Sequence, residues 1–176
     1  MTNEIRQILN ELNIDMKVAY IEGDNLLSRI EELQKNGEEF TNIDKEISLK
    51  DSGFPVLTAN AYLGAWGIKK ALDKGADIVV CPRVTDAAVV MGPAAWRFNW
   101  ERNDFDKLAG ALAAGHIIEC GCQATGGNYA FFEEVPSFEN VGFPIAEIQS
   151  DGSFFITKHP GTGCLLYTSP SPRDIS

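Results

Sequence analysis

PVLTANAYLGAWGIKKALDKGADIVVC, the run from Pro55 to Cys81, decides the fold. Its last four residues, Ile78–Cys81, are apolar without alternation, as in a strand covered on both faces within a parallel sheet. Its first five, Pro55–Ala59, read as another strand. Between them, Tyr62–Lys74 places Ala65, Ile68 and Leu72 on one helical face and stops at Gly75, a residue suited to a helix C-terminus. Strand, helix and strand in so short a span make a βαβ unit with a right-handed crossover. Val56–Ala59 and Ile78–Cys81 are therefore expected to be parallel neighbours.

Working outward, Glu4–Asn13 reads as a helix with Ile5, Ile8, Leu9 and Leu12 on one side. Lys17–Ile21 reads as a short strand ending at Gly23-Asp24, and Asn25–Gln34 as the next helix. Asn36–Asp51 is polar and weakly patterned, a loop. Beyond Cys81, Asp86–Phe98 and Asp104–Glu119 read as helices, the first broken or kinked at Gly92-Pro93 because proline cannot donate to the helical ladder. Pro144–Gln149 and Ser153–Lys158 alternate around Asp151-Gly152, which signals a hairpin with a two-residue turn. The fold class is α/β: an open, mainly parallel sheet with flanking helices plus a C-terminal β-hairpin, forming a partial domain. The final segment, Cys164–Ser176 (CLLYTSPSPRDIS), is a Ser/Pro string without period that resembles a translated sequencing adapter. Residues 1–163 are read as a fragment of one domain and 164–176 as a non-native tail.

At 176 residues with 44% hydrophobic and 23% charged side chains, the composition is that of a globular chain rather than a disordered one. The formal charge of −10 disfavours nucleic acid or an anionic membrane as partner. No run reaches the ~18 apolar residues of a membrane span, and the first residues lack the core of a signal peptide. The expected location is cytoplasmic. With Cys164 set aside, three cysteines at irregular spacing read as reduced thiols rather than a disulfide framework.

Two constellations carry chemistry. Arg83, Thr85 and Asp86 follow the Ile78–Cys81 strand, and open parallel sheets bind ligands at that carboxyl edge. An arginine fork suits a carboxylate or phosphate. Equally, Asp86 could cap the next helix and Arg83 pair with it. The second is HIIECGCQATGGN, His116–Asn128. His116, Glu119 and Cys120 stand at i, i+3 and i+4 and share a helix face, which suits acid/base work with Glu119 orienting His116. The alternative is a hydrogen-bonded core histidine. The spacing matches no zinc pattern, so no metal is expected. Cys120 and Cys122 read as small hydrophobes rather than nucleophiles. Gly126-Gly127-Asn128 and Gly161-Thr162-Gly163, with Lys158 close by, would present amides and a cation to an anion. No P-loop, dinucleotide fingerprint or nucleophile elbow is present, and the sequence leaves any cofactor unknown.

NAYLGAWGIKKALDKGADIVVCPRVTDAA (60–88), LAAGHIIECGCQATGGN (112–128) and GFPIAEIQSDGSFFITKHPGTG (142–163), in that order, resemble the acyclic terpene utilisation (AtuA-like) family. The resemblance runs from about Ile14 to Gly163 and is densest after Ala59. It implies an α/β protein, longer than this chain at both ends, in the breakdown of acyclic terpenes such as citronellol and geraniol through acyl-CoA intermediates. It implies no settled catalytic assignment. One departure is Pro82, where the family usually has glycine before the arginine; proline fixes φ and removes an N–H. On motif and chemistry together, Asp86, His116 and Glu119 are the catalytic candidates. Asn60, Arg83, Thr85, Gln123, Gly126, Gly127, Asn128 and Lys158 are the substrate-binding candidates. The reading is an enzyme acting on terpenoid or branched acyl-CoA intermediates, with a non-catalytic scaffold or binding partner of an acyl-CoA enzyme as the alternative. Expected partners are a small-molecule ligand, acyl-CoA by the resemblance, and either a second copy or the missing parts of its own domain.

Overall fold

The structure, a computed structural model, describes residues 1–135 and 137–163. The segment Cys164–Ser176, set apart in the sequence, lies outside the described residues. Helix α1 spans Thr2–Glu11 and leads to strand β1, Val18–Tyr20. A single 3-10 turn at Leu27–Arg29 runs into the short helix α2, Ile30–Lys35, and residues 36–65 follow without a regular element. Then come α3 (Trp66–Asp73), β2 (Ile78–Val80), α4 (Ala88–Arg97) and α5 (Phe105–Glu119). A 3-10 turn, Gly121–Thr125, continues α5. Strands β3 (Pro144–Ile148) and β4 (Phe154–Lys158) close the described chain as an antiparallel hairpin. The α/β class is therefore as read.

The strand pairing corrects the reading. The parallel neighbour of β2 is β1, in the register Val18↔Ile78, Ala19↔Val79 and Tyr20↔Val80. Pro55–Ala59 forms no strand, and Leu57 is 81% exposed, so this apolar run is not committed to a core. A polar latch sets the observed pairing. The Lys17 amide donates to Asp77 Oδ2 at 2.8 Å, and the amides of Asp77 and Ile78 donate to the Lys17 carbonyl at 2.9 and 3.2 Å. The Lys17 ammonium also donates to the Lys74 carbonyl. The crossover is longer than expected and carries both α2 and α3 between its two parallel strands. Nor is β2 covered on both faces, since all three of its residues are only half-buried.

Helix α3 begins four residues after the expected Tyr62 because Leu63 is extended instead. Its amide donates to the Arg83 carbonyl at 3.0 Å and its carbonyl accepts from the Thr85 amide at 2.9 Å, a parallel bridge that prolongs the sheet past β2. Helix α4 runs unbroken through Pro93, which lies on its exposed side. The hairpin turn is also longer than read. Gln149 and Ser153 still pair, leaving three residues between them, with Gly152 at φ +89°. The Gly152 amide donates to the Gln149 carbonyl at 3.0 Å, so the three-residue loop ends on a left-handed glycine.

Small residues set the spacing of the helical layer. Ala94, Ala95, Trp100 and Ala111 form one core cluster, and Ala65, Ile68 and Ala88 a second; Met91 packs against both. A Cβ at Gly115 would come within 2.9 Å of Ala87 Cβ, so α5 lies almost on the start of α4. The hairpin is fastened to α5 and to the turn before it. Trp100, 1% exposed, donates its indole N–H to the Ser150 carbonyl at 3.0 Å, and Gly152 packs on Lys107 and Gly110 of α5.

Candidate functional site

Because β1 and β2 are parallel neighbours, the segments leaving both strands emerge at one edge. Asp24 follows β1 and Arg83 follows β2. Asn60 reaches the same place through an antiparallel bridge with Asn25, in which the Ala61 amide donates to the Asp24 carbonyl at 2.7 Å and the Leu26 amide to the Ala59 carbonyl at 2.8 Å. Asp24 Oδ2 accepts from Asn60 Nδ2 at 2.9 Å and from the Arg83 amide at 3.3 Å. Partial desolvation is the largest influence on the Asp24 carboxyl and pushes its pKa up. The hydrogen bonds from Arg83, Asn60 and the neighbouring backbone together outweigh it and hold the group below its ordinary range. The Arg83 guanidinium lies over the Tyr62 ring, 5.5 Å from its centroid, a cation–π contact. Asp24, Asn60, Tyr62, Pro82 and Arg83 line an open cleft of about 500 Å³.

Thr85 and Asp86 continue the turn out of this cleft, and both are exposed. Neither structural reading of Arg83 and Asp86 is realised. The N-cap of α4 is Ala87, with no side-chain cap, and among the described residues Arg83 and Asp86 form no ion pair. The close approach at Gly115 instead brings Asp86 toward the end of α5. There Glu119 Oε1 accepts the Cys120 thiol at 2.9 Å. That bond, then desolvation and the charges of Glu119 and Asp86, push the Cys120 thiol up, so it stays protonated at neutral pH. His116 is exposed, so it is not a core histidine. Among the described residues it forms no hydrogen bond or ion pair with Glu119; the orienting role expected of Glu119 is replaced by its bond to Cys120.

The glycine loop is internally closed. The Gly126 amide donates to the Gln123 carbonyl at 3.2 Å and the Gly127 amide to the Cys122 carbonyl at 2.8 Å, with Gly126 at φ +100°. These two amides, expected to face an anion, cap the 3-10 turn instead. Gln123 is half-buried within that turn, and Asn128 is exposed beyond it. Thr125, 1% exposed, uses its hydroxyl toward the carbonyls of Gly142 at 3.0 Å and Cys122 at 3.1 Å, which stitches the loop to the start of the hairpin. The Lys158 ammonium donates to the Thr162 carbonyl and so holds its own loop. The structure thus brings Asn60 and Arg83 together in the cleft, and Asp86, Glu119 and Cys120 into one electrostatic neighbourhood. The lining of the cleft includes none of His116, Gln123, Asn128 and Lys158.

Asp24 and Tyr62 escaped the sequence reading. The available signal was positional: Gly23-Asp24 stands after Lys17–Ile21 as Arg83 stands after Ile78–Cys81. Applying the carboxyl-edge rule to both strands finds it. A larger open hollow of about 790 Å³ lies among residues 31–51, but its walls are exposed carboxylates such as Glu38, Glu39 and Glu46 on a surface excursion. Among the described residues, no three of the His, Cys, Asp and Glu side chains group to hold a metal, and no helix is long and apolar enough to cross a membrane.

No curated protein and no solved structure matches the chain. A family model does, over residues 1–169, which takes in the first residues of the segment from Cys164. That model describes the acyclic terpene utilisation family protein AtuA; the chain belongs to this family, and its role lies in the utilisation of acyclic terpenes.

Proposed function

We propose that the chain acts on terpenoid or branched acyl-CoA intermediates of acyclic terpene breakdown, bound at the carboxyl edge of the β1–β2 pair. The observation that carries this reading is the Arg83 guanidinium. It is exposed, supported from below by Tyr62, and among the described residues has no carboxylate within ion-pair distance. In a chain of net charge −10, such a cation at the rim of a cleft is the local feature that attracts a carboxylate, a phosphate or a thioester oxygen. Asp86 and His116 are the acid/base pair in this reading, and Glu119 adds negative charge beside them. Thr85, Gln123 and Asn128 offer hydrogen bonds to the reacting end. With the amides of Gly126 and Gly127 engaged, an oxyanion would rely on side chains rather than on that loop. The decisive experiment incubates the protein with citronellyl-CoA and geranyl-CoA and follows each thioester by mass spectrometry. Turnover that His116→Ala lowers by about 10²-fold supports the reading, since loss of a general acid or base costs about that much. Binding without turnover refutes it.

Such a result would favour a second reading, a non-catalytic partner of an acyl-CoA enzyme. Its support is the aromatic surface at the hairpin, where Phe143 is 65% and Phe155 66% exposed. Co-purification with that enzyme, lost on replacing Phe143 and Phe155 by Ser, is the corresponding test.

A further inference from the structure

The cleft at the carboxyl edge is bipolar, and this restricts what it takes. On one side is the Arg83 guanidinium; on the other is the Asp24 carboxylate, whose Oδ2 accepts from Asn60 Nδ2 and the Arg83 amide. The two charges line the same cleft of about 500 Å³, yet they do not form an ion pair with one another. A bare anion drawn in by Arg83 is repelled by Asp24, and a bare cation drawn in by Asp24 is repelled by Arg83. A ligand that places a hydrogen-bond donor beside an anionic group satisfies both walls. A hydroxyl also accepts a hydrogen bond, and the second N–H of the Asn60 amide and the Tyr62 phenol, both on residues lining the cleft, can donate one.

We propose that the ligand of this cleft carries a hydroxyl next to an anionic group, and that Asp24 reads the hydroxyl while Arg83 reads the anion. The inference rests on the assignment of this cleft as the ligand site and deepens it. A carboxylate facing a ligand hydroxyl discriminates strongly, because an analogue without the hydroxyl covers the carboxylate and withholds the donor that would replace its water. Two chemistries present such a pair: a 3-hydroxy carboxylate, and the ribose phosphate of a nucleotide.

Matched ligands separate them. Dissociation constants are measured by calorimetry for 3-hydroxy-3-methylbutyrate against 3-methylbutyrate, and for adenosine 3′-phosphate against its 2′-deoxy form. The expected result is at least tenfold tighter binding of the hydroxylated member in one pair, which names the source. Asp24→Asn removes that preference while circular dichroism shows the fold retained, and Arg83→Ala weakens both members of the pair alike. Equal affinities within both pairs, no binding of any of the four, or a preference that survives Asp24→Asn overturns the proposal. Should Asp24→Asn fail to fold, the ratio in the unmodified chain decides alone, and a ratio below about two overturns it. A hydroxyl preference found together with no turnover of terpenoid acyl-CoA would sink the proposed function but not this inference.

Discussion

At Thr125 a single hydroxyl does what the glycine loop cannot do for itself. It is the one polar side chain among the buried described residues, and it serves two carbonyls from different segments. Thr125→Val keeps the shape and removes the donor, leaving the carbonyls of Cys122 and Gly142 without it. The expected loss is about 1–2 kcal/mol in a denaturant melt, the cost of an unmade buried hydrogen bond; a loss near zero would mean water replaces the hydroxyl. Nearby, Glu119 holds Cys120 as a thiol by accepting its hydrogen bond and by its charge. Glu119→Gln removes the charge, so the thiol pKa falls toward its ordinary value and thiolate appears at lower pH. Alkylation of Cys120 by iodoacetamide at pH 8, followed peptide by peptide, should speed up several-fold, whereas Cys122 should not change. Sequence could place Glu119 and Cys120 on the helix face of His116, since the i, i+3 and i+4 spacing follows from helical geometry alone. It could not find the partner of Thr125, because Gly142 lies seventeen residues on and across a loop. The same limit explains His116 and Glu119: spacing made a pair plausible, but rotamers decided that the carboxylate turns to Cys120.

Elements meet where side chains are missing. Gly110 sits inside α5, and an isolated glycine in a helical pattern signals either weakness or a close approach. Here it is a close approach: a Cβ at Gly110 would collide with the backbone carbonyl of Gly152 in the hairpin turn. Gly110→Ala sets two effects against each other. Helix propensity favours alanine by about 1 kcal/mol. The clash is with backbone, which cannot swing aside as a side chain would, and overpacking of this kind costs about 1–3 kcal/mol. The clash is expected to win, and amide exchange should show faster opening of β3 and β4 while α4 stays protected. A stabilised variant with unchanged hairpin exchange would refute the contact. The glycine was legible as a signal; its partner was not, because periodicity describes one element at a time. Strand pairing failed for the same reason. The compact βαβ spacing points to Pro55–Ala59 as the neighbour of β2, and nothing in the local pattern points to Lys17–Ile21. The Lys17–Asp77 latch, sixty residues long, settled the matter in three dimensions.

For the whole molecule the governing quantity is charge, and acid is the way to probe it. The carboxyls of Glu4, Asp24, Glu32, Asp104 and Asp151 are all held below their ordinary values, chiefly by hydrogen bonds from amides, hydroxyls and cations, though at Asp24 those bonds act against a larger desolvation. A carboxyl with a depressed pKa binds fewer protons folded than unfolded, so its stabilisation is complete above the ordinary value and is lost as pH falls through the lowered one. The ordinary values are 3.8 for aspartate and 4.5 for glutamate, which sets the window below about pH 4.5. Against this, protonating carboxylates relieves the self-repulsion of a chain at −10, and that relief acts in the same range. The two effects have opposite sign. Each of these carboxylates is solvent-exposed enough for screening to keep its share small. Asp24 differs from the rest because its bonds join the ends of β1 and β2 with the Asn60 segment, so its protonation loosens three parts of the chain at once. The melting temperature should therefore be flat from pH 7 to about 5 and fall below about 4. Asp24→Asn, which cannot titrate, should start lower at pH 7 and converge on the unmodified chain as pH falls through the depressed range. Parallel curves for the two proteins down to pH 2.5 would show that the Asp24 carboxylate does not tie the cleft together, and a melting temperature that rises below pH 4 would show that self-repulsion outweighs all five.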